Sequence, residues 1–167
     1  MTTYALVNPQ GVIDRQASNV DPRVGTKEGW KWLPVVLTAA PKVTALETAT
    51  ASFVALPDRV LQEWVVRRKP LEQQIAAVKA EAQRRIIALT GKVELLDCMI
   101  KQSNANMRAN ELNDKRISGE TLTEAEEAEA TALRNLAIAI KAIRAKSNAI
   151  EAMQPIPLDY TADGYWA

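Results

Sequence analysis

The run TEAEEAE, residues Thr123 to Glu129, puts four carboxylates (Glu124, Glu126, Glu127 and Glu129) within six positions. Oxygen-rich clusters of this kind are what a hard divalent cation binds. The same residues also spell a helix start. Thr123 and Glu126 have the spacing of a capping box, in which the threonine oxygen takes one N–H and the glutamate reaches back to another. Acidic side chains there complement the positive end of the helix dipole, and this is the role expected of them.

Cys98 is the only cysteine, and the chain has no histidine. A lone thiol beside Leu96, Met99 and Ile100, with no imidazole to ionise it, is expected to be a buried structural group rather than a nucleophile. An internal disulfide, a Cys/His metal cluster and histidine acid–base chemistry are all excluded. Arg67-Arg68-Lys69 could contact phosphate, or could simply end a strand in solvent. With 21 basic against 20 acidic residues and a net charge of +1, the solvated strand end is expected, and neither nucleic acid nor an anionic membrane is an expected partner. The sequence has no glycine-rich phosphate loop, G-x-S-x-G elbow or paired metal motif. The expectation is a protein that is not an enzyme and uses no cofactor or metal.

The elements that place these residues follow from apolar spacing and turn residues. Tyr4-Ala5-Leu6-Val7 and Val12-Ile13-Asp14-Arg15 flank Asn8-Pro9-Gln10-Gly11, a pattern that predicts a hairpin. Residues 16–29 read as a loop, with Asn19, Asp21-Pro22, Gly25 and Gly29. Trp30 and Trp32 then stand two apart and share one face of a strand, either as the hydrophobic floor of a small β-unit or as an exposed platform for docking or sugar stacking. Residues 43–68 read as a second hairpin turning at Pro57-Asp58, with Val60, Gln62, Trp64 and Val66 on one face of the returning strand.

Pro70 marks a helix start, and Leu71, Ile75, Val78, Ala82, Arg85 and Leu89 follow at helical spacing up to Thr90-Gly91. A second helix carries Val93, Leu96, Ile100, Ser103, Met107 and Asn110, and a third carries Leu133, Leu136, Ile140, Ile143, Ser147 and Ile150. Both series alternate spacings of three and four, the seam of a coiled coil or a tight bundle. Polar Ser103, Asn110 and Ser147 on these seams are expected to set register. Lys141, Arg144 and Lys146 are expected to complement the negative end of the third helix. Pro155 and Pro157 stop that helix, leaving a tail with Tyr160, Tyr165 and Trp166. These rings are expected to dock, on the chain's own β-unit or on a partner.

The expected fold is therefore α+β. Residues 1–68 form a small antiparallel β attachment domain. Residues 69–154 form an elongated helical hairpin or coiled-coil-like bundle, with helices over about 70–90, 92–113 and 123–154. Residues 155–167 form an extended aromatic docking tail. Hydrophobic residues make up 47% and aromatics 5%, which favours helix packing over a large aromatic-lined pocket. No apolar stretch reaches the ~18 residues of a membrane span, and no basic segment followed by an apolar run opens the chain. A soluble, reducing compartment and no membrane are expected. The interface candidates are Trp30, Trp32, Trp64, Leu133, Leu136, Ile140, Ile143, Ile150, Tyr160, Tyr165 and Trp166.

YALVNPQGVIDRQASNVDPRVGTKEGWKWLPV, at the start, is similar to the opening of small proteins from tailed bacteriophages and prophages. LQEWVVRRKPLEQ resembles the tryptophan-containing strand, closed by a lysine, that precedes the helices in phage tail-fibre-associated proteins, and Trp64 and Lys69 match that junction. AEAQRRIIALTG and KQSNANMRANEL resemble the helical parts that follow. The resemblance implies a virion tail component, with other tail, baseplate, neck or fibre proteins and further copies of itself as partners. Its alternative is a tail-fibre assembly chaperone that leaves before the particle matures. It brings no catalytic residues. A nucleic-acid-binding regulator using Arg67, Arg68, Arg84 and Arg85 is a third class, disfavoured by the charge balance.

Overall fold

A computed structural model describes residues 2–18, 21 and 26–167; of the loop read above, Asn19, Pro22 and Gly25 lie outside the described residues. The chain is α+β and divides into two compact units, Met1–Lys69 and Pro70–Ala167.

The first unit is a sheet of β1 (Thr3–Val7), β2 (Ile13–Ser18), β3 (Lys31–Val36), β4 (Glu47–Ala55) and β5 (Val60–Arg68), in the order β2-β1-β3-β5-β4. The β1–β2 turn is built by Asn8, whose Oδ1 accepts from the N–H groups of Gln10 and Val12 at 3.0 and 2.8 Å. Gly11 takes φ 79° there, a conformation that costs a residue without a Cβ little. The pairings are antiparallel except β3–β5, which is parallel at Val35↔Val60 and Val36↔Leu61. This corrects the expectation of a wholly antiparallel unit. β4 lies on the outer edge and β5 inside it, so the chain passes β5 after β3 and returns in the direction of β3. Pro34 has no N–H to donate, and β3 pairs with β5 only beyond it.

One face of the sheet carries the core. Ala5, Val7 and Val60 are buried, with Ile13, Leu33, Val35, Phe53 and Ala55 packed on them. Alternation along β3 puts Leu33 and Val35 on this face and Trp32 on the other.

The second unit holds α1 (Leu71–Leu89), α2 (Leu95–Ile117) and α3 (Glu124–Glu151), followed by turns and a short 3-10 helix at Asp163–Tyr165. Residues 155–167 are therefore turned rather than extended. Two helix ends are closed by glycine. Gly91 follows α1 with φ 67° and Gly119 follows α2 with φ 82°. After α2, Gly119 N–H reaches Arg116 O and Glu120 N–H reaches Lys115 O, the paired bonds of a Schellman stop. α2 runs past the expected Asn113 to Ile117 before that stop.

Thr123 caps α3: its Oγ1 accepts from Glu126 N–H at 3.3 Å, and its own N–H donates to Glu126 Oε2 at 3.0 Å. Opposite charges then tie α2 to α3. Lys115 pairs with Glu126, Arg116 with Glu127 and Arg108 with Glu129. Glu126 and Glu127 meet the end of α2 at Lys115 and Arg116, while Glu129, further along α3, meets Arg108, two turns earlier in α2, so the two helices are antiparallel. Among the described residues, no helix is long and apolar enough to cross a membrane.

Candidate functional site

Of the acidic run that could have held a cation, Glu126, Glu127 and Glu129 are committed to these ion pairs. Glu126 is hydrogen-bonded by the Lys115 ammonium and by the Thr123 N–H, which hold its carboxyl down at about 2. Among the described residues no cluster of metal-ligating side chains occurs. Cys98 is 1% exposed and its sulfur accepts from Gln102 Nε2 at 3.0 Å, a structural placement. Arg67 and Arg68 are exposed at the end of β5.

The tryptophans of the first unit have separate settings. Trp30 and Trp32 are half-buried and outside the core cluster, with Lys27 5.5 Å from the Trp30 ring centroid and Arg15 5.7 Å from that of Trp32. Neither ring belongs to the Ala5, Val7 and Val60 core, and Trp32 stands opposite buried Leu6. For Trp32, strand alternation turns the ring away from the core. A cation also covers one face of each ring, where a sugar would stack. Trp64 lies on the same side as Val60, and its Nε1 donates to Thr38 O at 3.2 Å.

The C-terminal residues dock on α1, within the second unit. Ile156, Tyr160 and Trp166 are buried. Tyr160 Oη donates to Ala77 O at 3.2 Å, and Trp166 Nε1 donates to Tyr160 O at 2.7 Å. Arg85 gathers the segment: it donates to Thr161 O, pairs with Asp163 at 2.9 Å and lies 5.0 Å from the Trp166 ring centroid. Glu81, buried on α1, receives both Arg84 and Arg85. The Arg84 hydrogen bond leads in holding its carboxyl below the ordinary range. The hydroxyl of half-buried Tyr165 donates to Asp159.

The two seams have opposite fates. On α3, Ile140, Ser147 and Ile150 are buried, Ile143 is half-buried, and Leu133 and Leu136 are half-buried where they line an open groove. Ser147 is satisfied within its own helix, donating to Glu151 at 2.8 Å. On α2 the seam faces out: Leu96, Ile100 and Met107 are 67%, 50% and 56% exposed, and Ser103 and Asn110 are exposed beside them. The buried residues of α2 are Cys98 and Leu112, which at ~100° per residue stand roughly opposite that stripe. Ser103 and Asn110 are thus not buried polar groups within this fold. The packed side of α2 is the small-residue side, where Ala105 lets helices approach closely.

The groove between α2 and α3 has a volume of about 570 Å³. Ala105, Ala109, Leu133, Leu136, Ala137 and Ile140 give it an apolar floor. Arg116, Arg134, Lys141 and Arg144 edge it, and none of its lining residues is acidic. Lys141 and Arg144 were expected to serve the end of α3, but they sit turns before it, and the last turn holds no basic residue. Sequence reading missed the groove because the alanines and cations that form it come from two helices whose facing sides periodicity does not reveal. Compared with protein-family models, with curated proteins and with solved structures, the chain matches none.

Proposed function

We propose that the chain is a structural component of a tailed bacteriophage particle, a tail, baseplate, neck or fibre attachment protein located in the virion. It works by protein–protein assembly. One observation carries this reading: α2 turns an apolar stripe at coiled-coil spacing, Leu96, Ile100 and Met107, away from its own fold. A helix of a neighbouring molecule covers such a stripe in coiled-coil-like fashion, and repeated copies come naturally with assembly symmetry. The strand–Trp64–Lys69–helix junction, with its likeness to tail-fibre-associated proteins, supplies the phage context. The partners are other tail, baseplate or fibre proteins and further copies of the chain; nucleic acid and membrane are not among them.

Protein composition of purified particles tests this, with the chain expected among their components. Presence in infected-cell lysate together with absence from particles would shift the reading to a tail-fibre assembly chaperone. That second reading has its own support in the open groove between α2 and α3, a shape that accepts a helix.

A further inference from the structure

Two surfaces of the second unit are left without a partner, and their chemistry is complementary. The outward stripe of α2 is apolar at Leu96, Ile100 and Met107. Asp97 lies on one flank of the stripe and Asp114 continues its line at the same three-four spacing, neither in an ion pair among the described residues, whereas Glu111 on that flank is paired with Arg108. The groove between α2 and α3 is apolar on its floor and basic at its edge. Its Arg134, Lys141 and Arg144 make no ion pair among the described residues, whereas the neighbouring bases Arg108, Lys115 and Arg116 are neutralised by glutamates. The chain is balanced overall at +1, so this positive charge is a local excess.

We propose that the outward face of α2 in one copy docks into the α2–α3 groove of the next copy. The inference rests on the reading of the chain as an assembly protein and specifies how its copies join. The three-four spacing of Leu96, Ile100, Ser103 and Met107 matches that of Leu133, Leu136 and Ile140, so one side's apolar residues fall between those of the other. The groove runs along α2 from Gln102 to Arg116, about 21 Å at 1.5 Å per residue, room for roughly four helical turns. Alanines at Ala105, Ala109 and Ala137 let the incoming helix approach closely.

Charge separates this mode from its symmetric rivals. Groove against groove would oppose Arg134, Lys141 and Arg144 to themselves. Stripe against stripe in parallel register would oppose Asp114 to itself. Stripe into groove brings acid to base. Stripe and groove are different patches, so the contact is heterologous: each copy gives one face and receives on the other, generating a ring or an open filament.

The experiment uses two full-length variants. Ile100→Glu with Met107→Glu disables the stripe and leaves the groove. Arg134→Glu, Lys141→Glu and Arg144→Glu together disable the groove and leave the stripe. All five positions have exposed side chains, and Trp166 fluorescence, measured with the other three tryptophans replaced by phenylalanine, verifies that the second unit is folded. By analytical ultracentrifugation the unmodified chain is expected to associate, and each variant alone is expected to be monomeric. Their equimolar mixture is expected to form a dimer and nothing larger, because one intact stripe then meets one intact groove. A monomeric unmodified chain overturns the proposal, as does failure of the mixture to associate. Association that survives loss of the groove assigns the contact to stripe against stripe and also overturns it. A positive mixing result with no chain found in particles would leave the contact standing and remove the virion-component reading, so the two fail separately.

Discussion

Arg85 of α1 lies 5.0 Å from the ring centroid of Trp166, next to the last residue of the chain, while its Nε donates to Glu81 on its own helix. One guanidinium thus joins a buried carboxylate to the docked C-terminal segment. Trp166 is 9% exposed. Replacing it with alanine should destabilise the second unit by about 3–5 kcal/mol, the range for truncating a buried aromatic ring. Arg85→Ala should cost about 1–3 kcal/mol, since Glu81 is then left with Arg84 alone. Urea unfolding followed by far-UV circular dichroism measures both. A Trp166→Ala loss below ~0.5 kcal/mol would mean that the segment is not docked as described.

Acid should loosen the α2–α3 hairpin. The Lys115 ammonium holds Glu126 at about 2, below its ordinary 4.5. A folded value below the unfolded one means that the stabilisation is fully present above about pH 4.5 and is lost as the pH falls through about 2. Glu81 is lowered too and acts with the same sign. Glu126→Gln should therefore lower the melting temperature at neutral pH and flatten its decline across that window, with Glu81 supplying the remaining slope. Identical melting temperature–pH curves for the two proteins would show that Glu126 carries none of it.

The ends of the hairpin helices should respond locally. Thr123→Ala removes the oxygen that takes the Glu126 N–H and should cost about 1 kcal/mol. Gly119→Ala meets no atom within 4 Å but must adopt φ +82°, so a loss of about 1 kcal/mol is expected from backbone conformation alone. Chemical denaturation resolves each. A neutral Gly119→Ala would show that the Schellman stop is not held in solution.

Cys98 should be silent in the native protein. At 1% exposure its thiol should react with a soluble aromatic disulfide reagent far more slowly than in denaturant, because attack needs the helix pair to open. Equal rates would show that α2 does not pack through its Cys98 side.

Several features could be read from a few adjacent letters. Asn8 and Gly11 make a turn, Pro70 opens a helix, Gly91 closes it, and Thr123 with Glu126 caps another; each acts through backbone groups within about five positions. Which face of α2 is buried was harder to read. α2 has two stripes, one of large side chains at Leu96, Ile100 and Met107, and one at Cys98, Ala105 and Leu112 that is smaller at its first two positions. Periodicity favours the larger stripe as the core, but close helix–helix approach favours the smaller, and the smaller is buried.

By itself, then, the sequence determined the α+β class, the two hairpins, the starts of α1 and α3 and the stop of α1, and the existence of greasy stripes, because backbone preferences and caps act over short range. Only the tertiary structure decided that β5 lies parallel to β3, that α2 presents its heptad-spaced side outward, and that Tyr160 reaches back to Ala77. Those outcomes depend on residues tens of positions apart competing for the same burial. Periodicity shows that a face is apolar; what packs against it is settled only when the whole unit closes.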